Sequence, residues 1–284
     1  MACLLIVSLI WAFSFGLIKG NLVGLDSNFV AFARMLIALL VFAPFIRTAR
    51  VSLSLAVQFM LIGMFQFGIM YVTYIYSYHF LMAYQVALYT IFTPIYVTLI
   101  NDLLDRRFRC KILLTAILAI AGTYIIVRGE AHRFELKAGF LLLQASNICF
   151  AAGQVLYKKM MARHPEIKDR DIFGLLYLGA ALITGLAAGI TTDWIALDLS
   201  FKQGAILLYL GLLASGLGFF LWNFGAKSTN TGALAIMNNL KVPLAVACSL
   251  LFFHEEADLL KLLAGGGVIL AALVLNEMFI RGKR

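Results

Sequence analysis

The chain has 284 residues, of which 63% are hydrophobic and only 13% are charged, and its mean hydropathy is +0.95. A soluble domain carries about 45–50% apolar and about 25% charged residues, so the composition excludes a soluble protein and indicates an integral membrane protein. The net charge of +9 does not indicate a nucleic-acid partner, because the basic residues lie in short loops between apolar runs.

Ten apolar runs follow one another along the chain. A helix needs about 20 apolar residues to cross about 30 Å of hydrocarbon. The runs that meet this length, numbered here as spans 1 to 10, are 2–19, 29–46, 55–77, 83–100, 111–128, 138–158, 171–190, 203–226, 232–253 and 258–279. The predicted fold class is an all-α integral membrane protein with ten transmembrane helices in contact with the lipid bilayer.

The distribution of Lys and Arg among the loops predicts the orientation. The even-numbered loops and the C-terminus hold 15 of the 23 basic residues, the odd-numbered loops hold six, and Arg34 and Lys241 lie inside spans. Cytoplasmic loops carry the excess of basic residues. Both termini are therefore predicted to face the cytoplasm.

The two halves of the chain repeat each other. Pro94 and Pro243 are 149 residues apart and lie near the middle of spans 4 and 9, where they are expected to break the helices that line a cavity. Spans 3 and 8 align at an offset of 148, and spans 1 and 6 align at an offset of 139, which places Lys19 opposite Lys158. The predicted units, 1–130 and 131–284, each hold five spans, so the second unit enters the membrane from the opposite side. Such inverted repeats are typical of secondary transporters, which bind substrate near the midplane between the repeats.

In these features the chain resembles the drug/metabolite transporter superfamily, specifically its EamA-type ten-helix permeases. The residues that carry the resemblance are Trp11, Phe32-Ala33-Arg34, Ala83…Pro94, Gly211…Phe224, Gly232…Pro243, and Gly122 or Gly265–Gly267 in the closing helices. The resemblance implies a multi-pass protein of the bacterial cytoplasmic (inner) membrane, similar to exporters of amino acids and other metabolites. The chain departs from the pattern in the turn Leu104–Arg107 and in the polar residues of span 9.

Lys241 is the strongest candidate for a substrate contact. It lies about nine residues into span 9, or about 13 Å deep at about 1.5 Å per residue. A lysine cannot extend its side chain to either interface from this depth, and charges within the membrane mostly mark substrate or ion pathways. We expect Lys241 to bind a negative group, with Asn238 one helical turn away.

Aromatic and amide side chains of other spans complete the predicted site. The full set of predicted substrate-binding residues is Lys241, Asn238, Tyr89, Trp222, Tyr74, Tyr71, Trp11 and Gln85. One cation within an aromatic wall is suited to a carboxylate or zwitterion with an apolar body. For Arg34, about six residues into span 2 and near the outer face, snorkelling or a loop contact is favoured over an outer gate or a substrate contact. Gln144 and Asn147 of span 6 are expected to form hydrogen bonds between helices.

The predicted function is secondary transport of an amino acid or related carboxylate by alternating access through a central cavity, and the expected direction is export. The alternatives are transport of another metabolite class, such as a nucleotide-like cofactor or a drug, and a non-transporting role such as a scramblase. The chain contains no H-E-x-x-H, G-x-S-x-G or Walker motif, and its four cysteines show no C-x-x-C spacing. We therefore expect no enzyme activity, cofactor or metal. The expected oligomeric state is a monomer or weak dimer.

Overall fold

The structure is a computed structural model that describes residues 2–48, 51–106, 134–229 and 259–281, together with single positions within 114–125 and 234–252. These ranges include predicted spans 1 to 4 and 6 to 8, and nearly all of span 10. Most of predicted spans 5 and 9 lies outside the described residues, and so do Lys241 and Pro243.

Seven helices in these ranges are long and apolar enough to cross a membrane. They correspond to spans 1 to 4 and 6 to 8, with bounds Ala2–Asn21, Ser27–Phe45, Leu53–Ser77, Ala83–Asp105, Lys137–Arg163, Asp169–Thr191 and Phe201–Lys227. The helix of span 6 begins at Phe134, ahead of its apolar part, and span 10 forms the helix Leu259–Arg281. Because the described residues form helices and no strand, the all-helical membrane class is confirmed.

Three helices begin two residues earlier than the apolar runs predict, because polar residues cap them. The Asp26 carboxylate accepts a hydrogen bond from the Phe29 N–H at 2.8 Å before span 2. Before span 3, the Ser52 hydroxyl accepts from the Leu55 N–H. Before span 8, Ser200 and Gln203 form a reciprocal capping box. Such caps satisfy N–H groups that a helix start leaves unpaired, so the polar turn belongs to the helix although a hydropathy scan omits it.

The outside of the bundle is apolar. Large side chains that a soluble protein would bury are exposed here, among them Leu9, Leu40, Leu141 and Leu186, each with 60% or more of its surface accessible. This surface matches the hydrocarbon of a bilayer. The exposed leucines therefore mark the lipid-facing side of each helix.

The connections between helices separate onto two ends of the bundle. At one end, Lys19 Nζ donates to the Tyr78 carbonyl at 2.8 Å and the Thr192 hydroxyl donates to Asp26 at 2.6 Å. The contacts at the other end are the ion pairs Lys227–Asp169 and Lys159–Asp105 and the hydrogen bond from Lys158 Nζ to the Thr229 carbonyl. Loops 1, 3 and 7 thus lie at one end of the bundle, and the ends of spans 4, 6 and 8 lie at the other. This is the arrangement expected when successive spans cross the membrane in opposite directions.

Spans 3 and 7 cross at two glycines. A Cβ atom on Gly63 would lie 1.9 Å from the Leu176 carbonyl oxygen, and one on Gly179 would lie 2.0 Å from the Met60 carbonyl oxygen. Real Cβ atoms do not approach a backbone this closely, so only glycine allows this packing. Small residues that bring helix backbones together are the usual basis of helix association in membranes.

Spans 3 and 8 each contain a π-helical segment, over Met64–Ile69 and Leu210–Leu217. A π segment interrupts the regular hydrogen bonding of an α-helix and often occurs at functional sites. The offset of 148 found in the sequence places 64–69 onto 212–217, inside the second segment. The two irregular segments therefore occupy corresponding positions in the two halves.

Span 4 is interrupted before Pro94, as predicted. Its helix Ala83–Tyr89 passes into a 3₁₀ turn, Thr90–Phe92, and a new α-helix runs from Thr93 to Asp105 with the proline in its first turn. Proline has no N–H to donate and disfavours the preceding helical turn, but it suits a helix start. The break places irregular backbone in the middle of the membrane span, where it needs partners from other helices.

Candidate functional site

A cavity lies between the helices of spans 1, 2, 3, 4, 6 and 8. It contains about 510 Å³ of space between atoms, part of it open to solvent. Its lining residues are Trp11, Ser14, Phe15, Arg34, Met70, Tyr71, Tyr74, Thr90, Ser146, Asn147, Phe150 and Phe219. The wall is mostly aromatic and apolar, with a few polar groups and one cation, as in typical small-molecule sites.

Arg34 is the charged residue of the cavity, and only 2% of its surface is accessible. Its Nη2 donates to the Tyr71 hydroxyl at 2.5 Å and its Nε donates to the Ser215 hydroxyl at 3.2 Å. The guanidinium also lies 4.2 Å from the centre of the Tyr71 ring, within cation–π range. Nη1 is buried and has no hydrogen-bond partner, and none of the ion pairs among the described residues involves Arg34. The site therefore holds a positive charge with donors available to an anion.

The π segment of span 8 supports this arrangement. Its carbonyls accept hydrogen bonds from side chains of other helices: Ala214 from Trp11 Nε1 at 2.8 Å, and Ser215 and Gly216 from the Tyr177 hydroxyl at 2.8 and 2.6 Å. Irregular backbone inside a membrane persists where protein groups satisfy it. These bonds hold the segment that presents Ser215 to Arg34.

Aromatic rings form a continuous wall around the cavity. The Trp11 ring lies 5.3 Å from Phe219 and 5.9 Å from Phe150, and Tyr71 lies 5.5 Å from Phe219. Behind the wall, Phe67 stacks on Phe219 at 4.5 Å. Aromatic pairs at these distances stabilise one another beyond their burial, so the wall is a rigid apolar surface for a ligand.

Two amides of span 6 bind the break in span 4. The Thr93 N–H donates to the Thr90 carbonyl in the 3₁₀ turn, and the Tyr89 carbonyl accepts from Asn147 Nδ2 at 2.9 Å and from Gln144 Nε2 at 3.4 Å. The prediction that these amides join helices is confirmed. Because Asn147 also lines the cavity, the same contact fixes a polar group in the site.

The structure brings three of the predicted site residues together in this cavity, namely Trp11, Tyr71 and Tyr74. Tyr74 also forms a hydrogen bond of 2.7 Å with the Tyr78 hydroxyl and packs on Phe15. Their convergence from spans 1 and 3 agrees with the expected aromatic wall.

The lining of the cavity does not include three other predicted site residues, Gln85, Tyr89 and Trp222. Gln85 is buried and accepts from the Met82 N–H at 2.9 Å at the start of span 4, and the ring of Tyr89 packs on Phe140 at 5.1 Å. Trp222 is buried behind Trp11, 4.9 Å away, and donates to Gln154.

Two predicted residues belong to span 9. Asn238 is fully buried and donates to the Leu234 carbonyl at 3.0 Å and to Gln154 at 3.4 Å. Lys241 lies outside the described residues.

Arg34 is the main site residue that sequence reasoning misjudged. The expectation of snorkelling is wrong, because the side chain is buried and bonds to spans 3 and 8. The depth of Arg34 in the sequence was a weak signal, because the residue lies about six positions from the predicted start of span 2. At that depth a guanidinium can still reach the interface. Ser215 and Ser146 carry no pattern that distinguishes them from other small residues of a membrane helix. Among the described residues, no group of three His, Cys, Asp or Glu side chains could hold a metal ion.

Comparison with known proteins gives a family match over nearly the whole chain. The model of the EamA-like transporter family matches residues 1–128 and again residues 137–277. The two matches fall on the two predicted repeats. The transporter class and the resemblance stated from sequence are therefore confirmed, and enzyme activity is not the role of this family.

Curated relatives are bacterial transporters. A "Probable biotin transporter" of Pseudomonas aeruginosa is 42% identical over 286 residues and covers all of both chains. A "Biotin transporter" of Salmonella typhimurium is 38% identical over 282 residues, covering 99% of this chain and 94% of its own length. A "Probable amino-acid metabolite efflux pump" of Salmonella typhimurium is 25% identical over 188 residues, covering 63% of this chain and 62% of its own length. The resemblance to the biotin transporters is thus both closer and more complete.

A solved structure titled "Crystal structure of protein" shares the fold. It superposes with a TM-score of 0.71 at 16% identity and covers 100% of this chain and 99% of its own. At this identity the match concerns the fold alone.

Proposed function

Because the chain belongs to the EamA-like transporter family, we propose that it carries biotin, or a carboxylate of similar shape, across the bacterial inner membrane. Transport occurs by alternating access through the cavity between the two halves. The names of the two biotin transporters carry no direction, whereas the partly matching efflux pump is named for export, so export stays a prediction. Biotin thus becomes the first candidate substrate, in place of the amino acid that the sequence analysis predicted.

The observation that carries the proposal is the unpaired nitrogen of Arg34. A buried guanidinium without a counter-charge is costly in a membrane, and Tyr71 and Ser215 satisfy only part of its donors. A substrate carboxylate would accept from the remaining N–H groups and supply the missing charge. A bound anion would therefore satisfy the remaining donors of Arg34 and balance its charge.

Biotin fits the chemistry of the cavity. It is a carboxylate on a flexible apolar chain that ends in a compact ring system. The carboxylate would bind Arg34, and the chain would lie against the aromatic wall of Trp11, Phe150 and Phe219. The two relatives that match this chain most completely of those compared above are named for biotin transport, which supports the same assignment.

The proposed architecture is the ten-helix inverted repeat, with units 1–130 and 131–284. Two observations support it besides the two family matches: the corresponding π segments of spans 3 and 8, and the corresponding lysines of spans 1 and 6. Lys19 donates to a carbonyl at the end of span 3, and Lys158 donates to a carbonyl just after span 8, at the opposite end of the bundle. This is the relation that an inverted repeat requires.

The remaining predicted site residues keep their place in the proposal as substrate contacts. They are Lys241, Asn238, Tyr89, Trp222 and Gln85. During alternating access the helices rearrange, and residues near the cavity then become available to the substrate.

The test is exchange of radiolabelled biotin by purified protein in proteoliposomes, with Arg34→Met compared with wild type. Loss of a charge-assisted hydrogen bond is worth about 1.5–3 kcal/mol, so the variant should bind biotin about 10- to 150-fold more weakly. Biotin methyl ester, which lacks the charge, should bind both proteins equally. The control is Arg47→Met, which removes the same charge at an exposed position.

Absence of biotin exchange by the wild type would refute the substrate, and an unchanged affinity of Arg34→Met would refute the anchor. An amino acid remains the second candidate, favoured by the partial match to the efflux pump. Exchange of labelled amino acids without exchange of biotin would establish it. A scramblase would instead move lipid between leaflets in the same vesicles.

A further inference from the structure

Among the described residues, two pairs of fully buried amides join different helices, and one of these pairs is incomplete. Gln66 and Asn223 form a reciprocal pair, with hydrogen bonds of 2.9 and 3.2 Å, and both amides are fully buried. Gln154 and Asn238 are also fully buried, but a single contact of 3.4 Å joins them. Gln154 Nε2 and Asn238 Oδ1 have no hydrogen-bond partner. Buried polar atoms without partners are rare in proteins, so this pair has unused recognition capacity.

The neighbours determine which atoms of this pair are unused. Trp222 Nε1 can only donate, and it points at Gln154 Oε1 at 3.1 Å, so that atom must be the oxygen. The Leu234 carbonyl can only accept, and the Asn238 atom that contacts it at 3.0 Å must be the nitrogen. The pair therefore offers one N–H donor, on Gln154, and one carbonyl acceptor, on Asn238, on amides that touch each other.

This pair lies beside the cavity, behind its aromatic wall. Gln154 follows Phe150 by one helical turn on span 6, and Phe150 lines the cavity. Trp222, which bonds to Gln154, lies 4.9 Å from Trp11 and 6.3 Å from Phe150, both of which line the cavity. The amide pair and Arg34 are thus separate polar groups that lie beside the same aromatic wall.

We propose that Gln154 and Asn238 form a second substrate subsite, which binds a neutral ring that carries an N–H next to a carbonyl. The ligand carbonyl accepts from Gln154 Nε2, and the ligand N–H donates to Asn238 Oδ1. A cyclic urea or lactam has this arrangement, and the ureido ring of biotin is one example. The inference rests on the proposed function, and it gives that function a specificity determinant at the end of the substrate away from the carboxylate.

The subsite accounts for discrimination that Arg34 alone does not provide. Arg34 would accept any carboxylate on an apolar chain, including lipoate, which has the same carboxylic side chain as biotin but no ureido group. A site built to hydrogen-bond a polar group rejects analogues that lack the group, because its buried atoms stay unpaired. We therefore expect the wild type to prefer biotin to lipoate.

The experiment compares biotin and lipoate as competitors of labelled biotin exchange, in wild type, Gln154→Leu and Asn238→Leu. Asn238→Leu keeps the side-chain shape, removes the acceptor and leaves the bond between Trp222 and Gln154 in place, whereas Gln154→Leu removes the donor together with that bond. Biotin affinity should fall on the order of tenfold in each variant, while lipoate affinity stays unchanged. Gln58→Leu, at an exposed position of span 3, is the matched control.

Retained lipoate binding shows that a variant is folded, so loss of biotin affinity with lipoate binding intact supports the subsite. Equal affinity of the wild type for biotin and lipoate would overturn the subsite but leave biotin transport standing. Unchanged biotin affinity in both variants would also overturn it. A wild type that exchanges neither compound would overturn the proposed function and this inference together.

Discussion

At the scale of single residues, the partners of Arg34 explain how a guanidinium is tolerated inside the membrane. Hydrogen bonds to Tyr71 and Ser215 and the face of the Tyr71 ring replace water around most of the group. Hydrogen bonds to charged groups contribute about 1.5–3 kcal/mol each, and a desolvated cation–π contact contributes up to about 2 kcal/mol. These terms offset much of the cost of burying the charge, and the carboxylate of the proposed substrate would accept from the unpaired Nη1.

Lys241 is predicted to act on the transport path as a second cation. Its depth in span 9 excludes snorkelling, and Asn238 lies one turn away on the same face. Lys241→Met keeps the length of the side chain and removes its charge. We expect loss of transport while the protein still inserts and folds, with a substrate affinity about 10- to 150-fold lower. Undiminished exchange at matched protein levels in proteoliposomes would assign Lys241 a structural role.

At the scale of helices, irregular segments position the site. The π segment of span 8 exposes carbonyls that Trp11 and Tyr177 bind, and the 3₁₀ turn of span 4 presents the Tyr89 carbonyl to Asn147. In both cases a break in regular hydrogen bonding is repaired by a side chain from another helix. The site residues are therefore held by contacts between helices.

The glycine crossing of spans 3 and 7 leads to a prediction about stability. In Gly63→Ala the new methyl group would meet the Leu176 backbone, so the helices must separate. Overpacking of this kind typically costs about 1–3 kcal/mol, and we expect a lower thermal unfolding midpoint in detergent. Gly189→Ala is the control, because nothing lies within 4 Å of its Cβ position and alanine favours a helix. Equal midpoints for the two variants would contradict the close crossing.

At the scale of the whole molecule, the two ends of the bundle differ in charge as the sequence predicts. Lys227, Lys159 and Lys158 gather at the end that contains loops 6 and 8, where they pair with acidic side chains and carbonyls. This side of the membrane holds 15 basic residues, and the other side holds six. The prediction that this end faces the cytoplasm rests on that bias.

Cysteine labelling tests the orientation. In a cysteine-free background, Ile195→Cys and Glu166→Cys place single thiols in exposed loops at opposite ends of the bundle. A membrane-impermeant maleimide should label position 195 in intact cells and position 166 only after lysis. The reverse pattern would show that both termini face outward. Each variant serves as the control for the reactivity of the other.

The sequence by itself determined the membrane class, the positions of seven of the ten predicted spans, the break at Pro94 and the family. Hydrophobic length, charge bias and proline chemistry are properties of the chain taken segment by segment, so no packing is needed to predict them. Aromatic side chains in mid-span, such as Trp11 and Tyr71, were also assigned correctly to a cavity wall. The helix starts were displaced by two residues because a capping turn is polar.

Only the tertiary structure decided which side chains meet. Arg34 lies about six residues into predicted span 2, and the rotation of this span against spans 3 and 8 decides that the side chain bonds inward to Tyr71 and Ser215. Gln85 and Gln154 are both buried glutamines in mid-chain spans, yet one caps a helix and the other keeps a free donor. Such differences depend on the relative rotation and depth of several helices, and a one-dimensional pattern of residues does not contain those quantities.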